Sequence, residues 1–427
     1  MASMSRWALA LIGLLAVALL GAPSTASATN PCPAQAHYPW MGDSVSETVT
    51  IPSLSRPGGI ASYPGTIVRP SDQAAYPGAR PVVLLQHGLG GSQCAQWWTA
   101  RDLAGHGYVS VVWTAPVGGS PTIAFVNAAD AMRSARAFVR TPQNPYAAFS
   151  DTNRMALAGH SLGSIVASFV QQDADPGVRA IVALDTLRRW LNGDPGGAVF
   201  ECSAAQVVEI TPRVPALGFA KDEPCDTRPD YAPADLKLPG FNRWREANVP
   251  VVELVMAGYS HLDFASPGSE AKHRTLAYFI EAWLARWLLG DPAGEERFFA
   301  EAVDGRPIED LLSTTFLSGA YLPGRVDSAD FRAFLADHVA PETKRRHGPG
   351  RHVSVASARR GIKFRWTADD TAAGFECRLD SRDWRPCASP KRIGNPGVGQ
   401  HRFRVRATDA RGNVEAEPAG WKFRVER

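Results

Sequence analysis

From Pro81 to Gly290, short apolar runs alternate with segments of helical period, and this alternation restricts the fold more than any other feature. Val82-Val83-Leu84-Leu85 is a near-continuous apolar run, as expected of a strand buried on both faces. Residues 108–113 give the next strand, and residues 121–139 read as a helix with Ala and larger apolar residues at helical spacing. Further strands are expected at residues 180–184, 214–219 and 249–256. The last helix, about 269–289, sets Leu276, Phe279, Ile280, Trp283, Leu284, Trp287 and Leu288 on one stripe. Repeated strand–helix units predict an α/β domain whose mostly parallel sheet is covered on both faces. Residues 29–80 are rich in Pro, Gly and Ser, and the alternation in Val45-Ser46-Glu47-Thr48-Val49 adds short antiparallel strands.

Within this pattern lies Gly159-His160-Ser161-Leu162-Gly163, a G-x-S-x-G motif. The apolar run Met155-Ala156-Leu157-Ala158 leads in, and the small-residue helical pattern from Ser164 to Val170 leads out. Strand, sharp turn and helix is the setting in which such a serine becomes a nucleophile. Flanking glycines suit a tight elbow, where close backbone segments leave no room for Cβ atoms.

A serine hydroxyl needs a base to take its proton and an acid to orient that base. In this type of fold both follow the serine in the chain. His261 occupies the loop after the strand at 249–256 and is the expected base; His273, at the start of the last helix, reads as a surface residue. Asp222, just past the strand at 214–219, is the preferred acid. Asp185, after the strand at 180–184, is its main rival, with Glu223 and Asp226 behind. The turn Gln86-His87-Gly88-Leu89-Gly90-Gly91 follows the strand at 82–85 and can aim N–H groups inward. The backbone amides of Leu89 and Leu162 are therefore the expected oxyanion donors, with His87 and His160 structural.

As a set, the His87–Gly91 turn, the Ser161 elbow, Asp222 four residues after Gly218, and Ser260-His261 resemble the secreted α/β-hydrolases of the dienelactone-hydrolase, cutinase (polyester-hydrolase) and platelet-activating-factor acetylhydrolase group. The resemblance covers about 81–290. It implies an α/β-hydrolase fold, a serine esterase using a Ser-His-Asp triad, and no metal or organic cofactor. Polyester hydrolases usually carry an aromatic residue at the position of Leu89 and Met at that of Leu162, so the two leucines depart from cutinase-type specificity. Lipase, polyester-hydrolase and non-catalytic binding roles stay open beside the esterase reading. Segments 186–213 and 228–248, with Trp190, Phe200, Tyr231, Phe241 and Trp244, are candidate pocket walls or simple packing.

The ends of the chain carry different signals. Arg6, the apolar run Trp7–Leu20 and Ala26-Ser27-Ala28 fit a secretory signal peptide over 1–28, which predicts an exported protein with no membrane span. The six cysteines are then expected as disulfides: Cys377–Cys387, and, as a guess, Cys202–Cys225 and Cys32–Cys94. The hydrolase domain is expected over 29–342, with 293–342 as a helical extension, followed by a linker at 343–350. From 351 to 427 the period becomes two, as in Ile362, Phe364 and Trp366 or Phe403, Val405 and Ala407. Such strands predict a small all-β sandwich. The stretches Phe375–Asp380 and Val405–Asn413 resemble the Ig-like modules of secreted actinobacterial proteins. Lys344–Arg427 holds 20 Lys+Arg against 9 Asp+Glu, whereas the remainder holds 25 against 33. The basic strand faces suggest either an anionic polymer or cell surface as partner, or a solvated spacer; nucleic acid is not expected.

Overall fold

The computed structural model describes residues 32, 38–117, 120–185, 187–188, 190–192, 207–223, 233–369, 374–409 and 411–427. The proposed signal peptide and the pair Cys202–Cys225 lie outside the described residues, as do Asp226, Phe200 and Tyr231.

The first part of the chain runs β1 (Ser44–Pro52), β2 (Ser62–Pro70), β3 (Arg80–Gln86), α1 (Trp97–Gly105), β4 (Val109–Trp113), α2 (Pro121–Phe138), β5 (Ser150–His160), α3 (Leu162–Val170), β6 (Val178–Leu184), β7 (Trp190–Asn192), β8 (Val207–Glu209), β9 (Ala216–Lys221), α4 (Pro239–Glu246), β10 (Val251–Met256) and α5 (Glu270–Leu284). It continues with α6 (Pro292–Glu296), β11 (Ala302–Val303), β12 (Arg306–Pro307), β13 (Gly319–Leu322), β14 (Val326–Ser328) and α7 (Phe331–Ala336). Ten of these strands make one sheet in the order β1-β2-β4-β3-β5-β6-β9-β10-β13-β14. The inner six, β4 to β10, are parallel, and the two strands at each end are antiparallel.

The inner strands are apolar throughout because both faces are covered, and the two-residue period of a strand sorts their side chains into two cores. Val83, Leu85, Ala156, Val182, Leu217 and Leu254 pack with Leu103 of α1 and Phe279 and Trp283 of α5. Val82, Leu84, Leu157, Ile181 and Val251 pack with Met132 of α2, Val166 of α3 and Phe241 and Trp244 of α4. Each such large side chain contributes about 1.5–3 kcal/mol on burial. Phe241 and Trp244 therefore serve as core, and Trp244 Nε1 donates to the Val214 carbonyl at 2.9 Å.

Two expectations change. Residues 293–342 are not simply helical: β13 and β14 extend the sheet antiparallel beyond β10. The expected linker at 343–350 contains β15 (Thr343–His347), which pairs with β17 (Ile362–Ala368). Thr343 alone of β15 is buried, so the strand lies at an edge with its charges outward, a composition that mimics a linker.

The rest of the C-terminal part comprises β16 (His352–Ser354), α8 (Val355–Arg360), β18 (Gly374–Leu379), β19 (Arg385–Pro386), β20 (Lys391–Ile393), β21 (Gly399–Thr408) and β22 (Ala419–Glu426). A three-stranded sheet β15-β17-β20 and a five-stranded sheet β16-β22-β21-β18-β19 enclose Phe364, Trp366, Phe403, Trp421 and Phe423. All pairings are antiparallel except β16 with β22. Cys377–Cys387 and Cys32–Cys94 are disulfides. Arg411 reaches back to the Phe299 and Leu335 carbonyls, joining this part to the first. Among the described residues no helix is long and apolar enough to cross a membrane.

Candidate functional site

The chain leaves β3 to form β4 on one side of it and then returns to form β5 on the other. Where strand order reverses in this way, the loops at the carboxyl ends of the strands part and leave a crevice. The turn after β3, Ser161 after β5, Asp185 after β6, Asp222 after β9 and His261 after β10 all lie at carboxyl ends of the parallel strands.

Ser161 is held in a backbone conformation rare for a residue with a side chain, φ 54° and ψ −116°. Such a conformation costs on the order of 1–3 kcal/mol and persists only where its surroundings enforce it. Here the Ser161 amide donates to the Leu184 carbonyl at 2.9 Å. Ser164 Oγ donates to the Ser161 carbonyl at 2.7 Å and lies 3.2 Å from the Asp185 carbonyl.

The glycines are demanded by contact. A Cβ on Gly159 would meet the Gly163 backbone at 2.4 Å, and one on Gly163 would meet the Gln86 carbonyl oxygen at 2.3 Å. One on Gly88 would stand 3.0 Å from Ser161 Cβ, which places the turn after β3 against the serine. Gly163→Ala is accordingly expected to cost about 3 kcal/mol by overpacking. Urea denaturation measures this against Gly394→Ala, whose site is open and whose change should stay within about 0.5 kcal/mol.

His87 stabilises that turn. Its Nδ1–H donates to the Gly88 carbonyl at 2.7 Å, and its Nε2 accepts the Ala115 amide at 3.0 Å. Burial lowers its pKa, so the ring is a neutral structural element as expected. Leu89 sits exposed on the crest of the turn, and Leu162 opens α3 directly after the serine.

His261 begins a short 3₁₀ turn, His261–Phe264, fixed by Asp263, whose carboxylate accepts from the Ser260 amide at 2.7 Å and its hydroxyl at 2.8 Å. The His261 carbonyl accepts from His160 Nε2 at 2.8 Å, so the residue before the serine braces the loop of the histidine. Burial, then the adjacent His261, push the His160 pKa down to about 4, keeping it a neutral donor.

The carboxylate facing His261 is Asp185: its Oδ2 accepts from His261 Nδ1. Asp222, the preferred sequence candidate, does not face it. Asp222 Oδ2 accepts the Gly258 amide at 3.0 Å, and Oδ1 accepts the Ser313 hydroxyl. With its own amide on the Tyr259 carbonyl at 2.8 Å, Asp222 ties down the loop that leads to His261. The reason is positional. β6 adjoins the serine strand, whereas β9 lies one strand further out. Asp185 also adopts a left-handed φ of 71°, which Asp tolerates better than most residues. Burial alone would raise its pKa, but the hydrogen bond and charge of His261 override this and hold it below the usual carboxylate value. Glu223, the lesser candidate, lies 3.9 Å from Lys221 Nζ at the surface. Ser161 Oγ makes no hydrogen bond among the described residues.

Two polar residues are buried in ways that the sequence does not reveal. His273 is buried, not at the surface: it stacks on Trp98 with ring centroids 4.2 Å apart and meets Tyr38 Oη at 3.3 Å. Glu253 on β10 is fully buried beneath the site, between Gly218 and Gly319 of the flanking strands. A Cβ on Gly218 would fall 1.7 Å from Glu253 Oε2, so the glycine makes the carboxyl's space. Burial pushes its pKa up to about 8, with the nearby Asp185 adding to the rise.

Among the described residues, two groups have donor atoms close enough to hold a metal. In His160, Asp185 and His261 those atoms are already engaged with one another or with the His261 carbonyl. In Asp102, His106 and Glu281, His106 Nδ1 donates to the Asp102 carbonyl at 2.9 Å, and Arg297 stands 3.6 Å from Glu281. Bonding with Asp102 raises the His106 pKa to about 9, so this cluster is an ion network fastening α1 to α5.

No protein-family model matches the chain, and no curated protein does.

Proposed function

We propose that the protein is an exported serine hydrolase that cleaves carboxylic esters through an acyl-enzyme. The observation that carries this reading is the strained Ser161 elbow, packed against the Gly88 turn at the same sheet edge as the Asp185–His261 pair.

In this mechanism His261 takes the Ser161 proton as Oγ attacks the ester carbonyl. Asp185 fixes the imidazole with Nδ1–H toward itself and stabilises the cation that forms. The Leu89 and Leu162 amides receive the developing oxyanion, and the α3 N-terminus adds favourable potential there. Collapse breaks the C–O bond, and His261 returns the proton to the departing alcohol. A water, deprotonated by His261, then attacks the acyl carbon and releases the acid and free Ser161. Asp222 acts at one remove, through the loop that carries the base.

Ser161→Ala is expected to lower turnover of a short-chain p-nitrophenyl ester by at least about 10³-fold with the circular dichroism spectrum unchanged. A fluorophosphonate should label Ser161 in the wild type alone. Undiminished turnover, or a wild type that resists the label, sinks the reading. Tributyrin, a polyester film and short-acyl phospholipids then separate simple esterase, lipase, polyester-hydrolase and acetylhydrolase specificities.

A further inference from the structure

The outer face of the five-stranded sheet carries cations where sheet physics disfavours them. On β21, Arg402, Arg404 and Arg406 alternate with the core residues Phe403, Val405 and Ala407. Arg404 stands directly opposite Arg378 of β18, and Arg402 directly opposite Lys422 of β22. Like charges in directly opposed positions destabilise an antiparallel pair. The nearby acids are committed elsewhere. Glu376 holds Arg406 at 2.6 Å, Asp380 accepts the Arg402 amide and pairs with His401, and Glu426 serves His352 and Arg424. Among the described residues, Arg378, Arg402, Arg404 and Lys422 have no carboxylate partner, and the Nε atoms of Arg378 and Arg404 have no hydrogen-bond acceptor. Opposite Arg404 on β22 stands Gly420; a Cβ there would touch Arg404 Cγ at 3.5 Å and Arg402 Nε at 3.6 Å, so the two side chains lie together over the glycine.

We propose that this face binds a linear phosphodiester polymer through its phosphates alone. Alternate residues on a strand repeat every ~6.6–6.8 Å, so Arg402 and Arg404 place successive guanidinium groups along one strand, with Arg378 and Lys422 on the neighbouring strands; Arg404 Nη2 also donates to the Asp380 carbonyl at 3.2 Å. A guanidinium fork matches the two free oxygens of a phosphodiester. Polymers recognised through rings need an open aromatic face. Trp384, the ring on this side, lies under the guanidinium groups of Arg378 and Arg406, each 4.5 Å from its centroid. That disfavours recognition by stacking of bases or sugar rings and leaves the phosphates as the recognised groups. The inference does not depend on the esterase reading.

The test uses the whole chain and a fluorescent poly(glycerol phosphate), with binding followed by anisotropy across salt concentrations. Four phosphate contacts predict that log K falls with log salt at a slope of about −3. Arg402→Ala combined with Arg404→Ala should cut that slope by about 1.4 and weaken binding at least about tenfold at low salt. The same variant should keep its ester turnover and gain in urea midpoint, because the opposed charges are relieved. Absence of salt-dependent binding, variant binding equal to wild type, or a loss of stability in the variant overturns the proposal. Equal competition by polygalacturonate, a polyanion without phosphodiesters, overturns the assignment to phosphodiesters.

Discussion

Asp185→Asn is expected to lower kcat by about 10⁴-fold while changing KM little, because an amide turned toward His261 Nδ1 favours the wrong imidazole tautomer. Asp222→Asn should leave kcat within about tenfold and instead cost about 1–2 kcal/mol, since it weakens the bonds to Gly258 and Ser313 without touching the base. Steady-state kinetics on a p-nitrophenyl ester, with urea denaturation of both variants, separate the two roles. The reverse ranking would return the acid to Asp222.

Glu253→Gln is expected to gain stability over wild type as pH rises. The folded carboxyl has a pKa of about 8, raised by burial, against an unfolded value near 4.5. The stabilisation from keeping it neutral is complete below about pH 4.5 and is lost as pH climbs through about 8. Ionising the buried carboxyl is therefore costly, a cost that the neutral amide escapes. Urea midpoints for both proteins at pH 5 and pH 8.5 measure the difference. The comparison must be between variant and wild type, because His160 and His273, each pushed down to about 4 mainly by burial, act with opposite sign. Their contribution is lost as pH falls from about 6.5 toward 4, the window in which that of Glu253 returns. A pH-independent gap between Glu253→Gln and wild type would mean that Glu253 does not stay neutral near pH 7.

What could be read beforehand follows from which interactions are local. The parallel strands are legible because burial on both faces leaves an unbroken apolar run, as in β3. Ser161 and His261 are legible as residues at strand ends that the fold gathers at one edge. The acid is not, because Asp185 and Asp222 both follow apolar strands, and only the path of the loop after β10 decides which one the imidazole meets. His273 is polar and opens a helix, which describes a surface residue until Tyr38 and Trp98 arrive from far away in sequence to cover it. Glu253 interrupts an apolar strand, and its tolerance depends on Gly218 from another strand. β15 shows the same limit at an edge: Lys344, Arg345 and Arg346 carry a linker's composition while their backbone completes a sheet.

The bond from His160 to the His261 carbonyl gives the elbow and the base a shared frame of motion. His160 belongs to β5, among the most enclosed strands of the sheet, whereas His261 rides on a solvent-facing loop. Proton transfer between serine and histidine is sensitive to fractions of an ångström. A loop that drifted independently would spend most of its time out of register with the hydroxyl. In the proposed reaction this bond, from the residue before Ser161 to the backbone of His261, holds the imidazole's loop to the sheet.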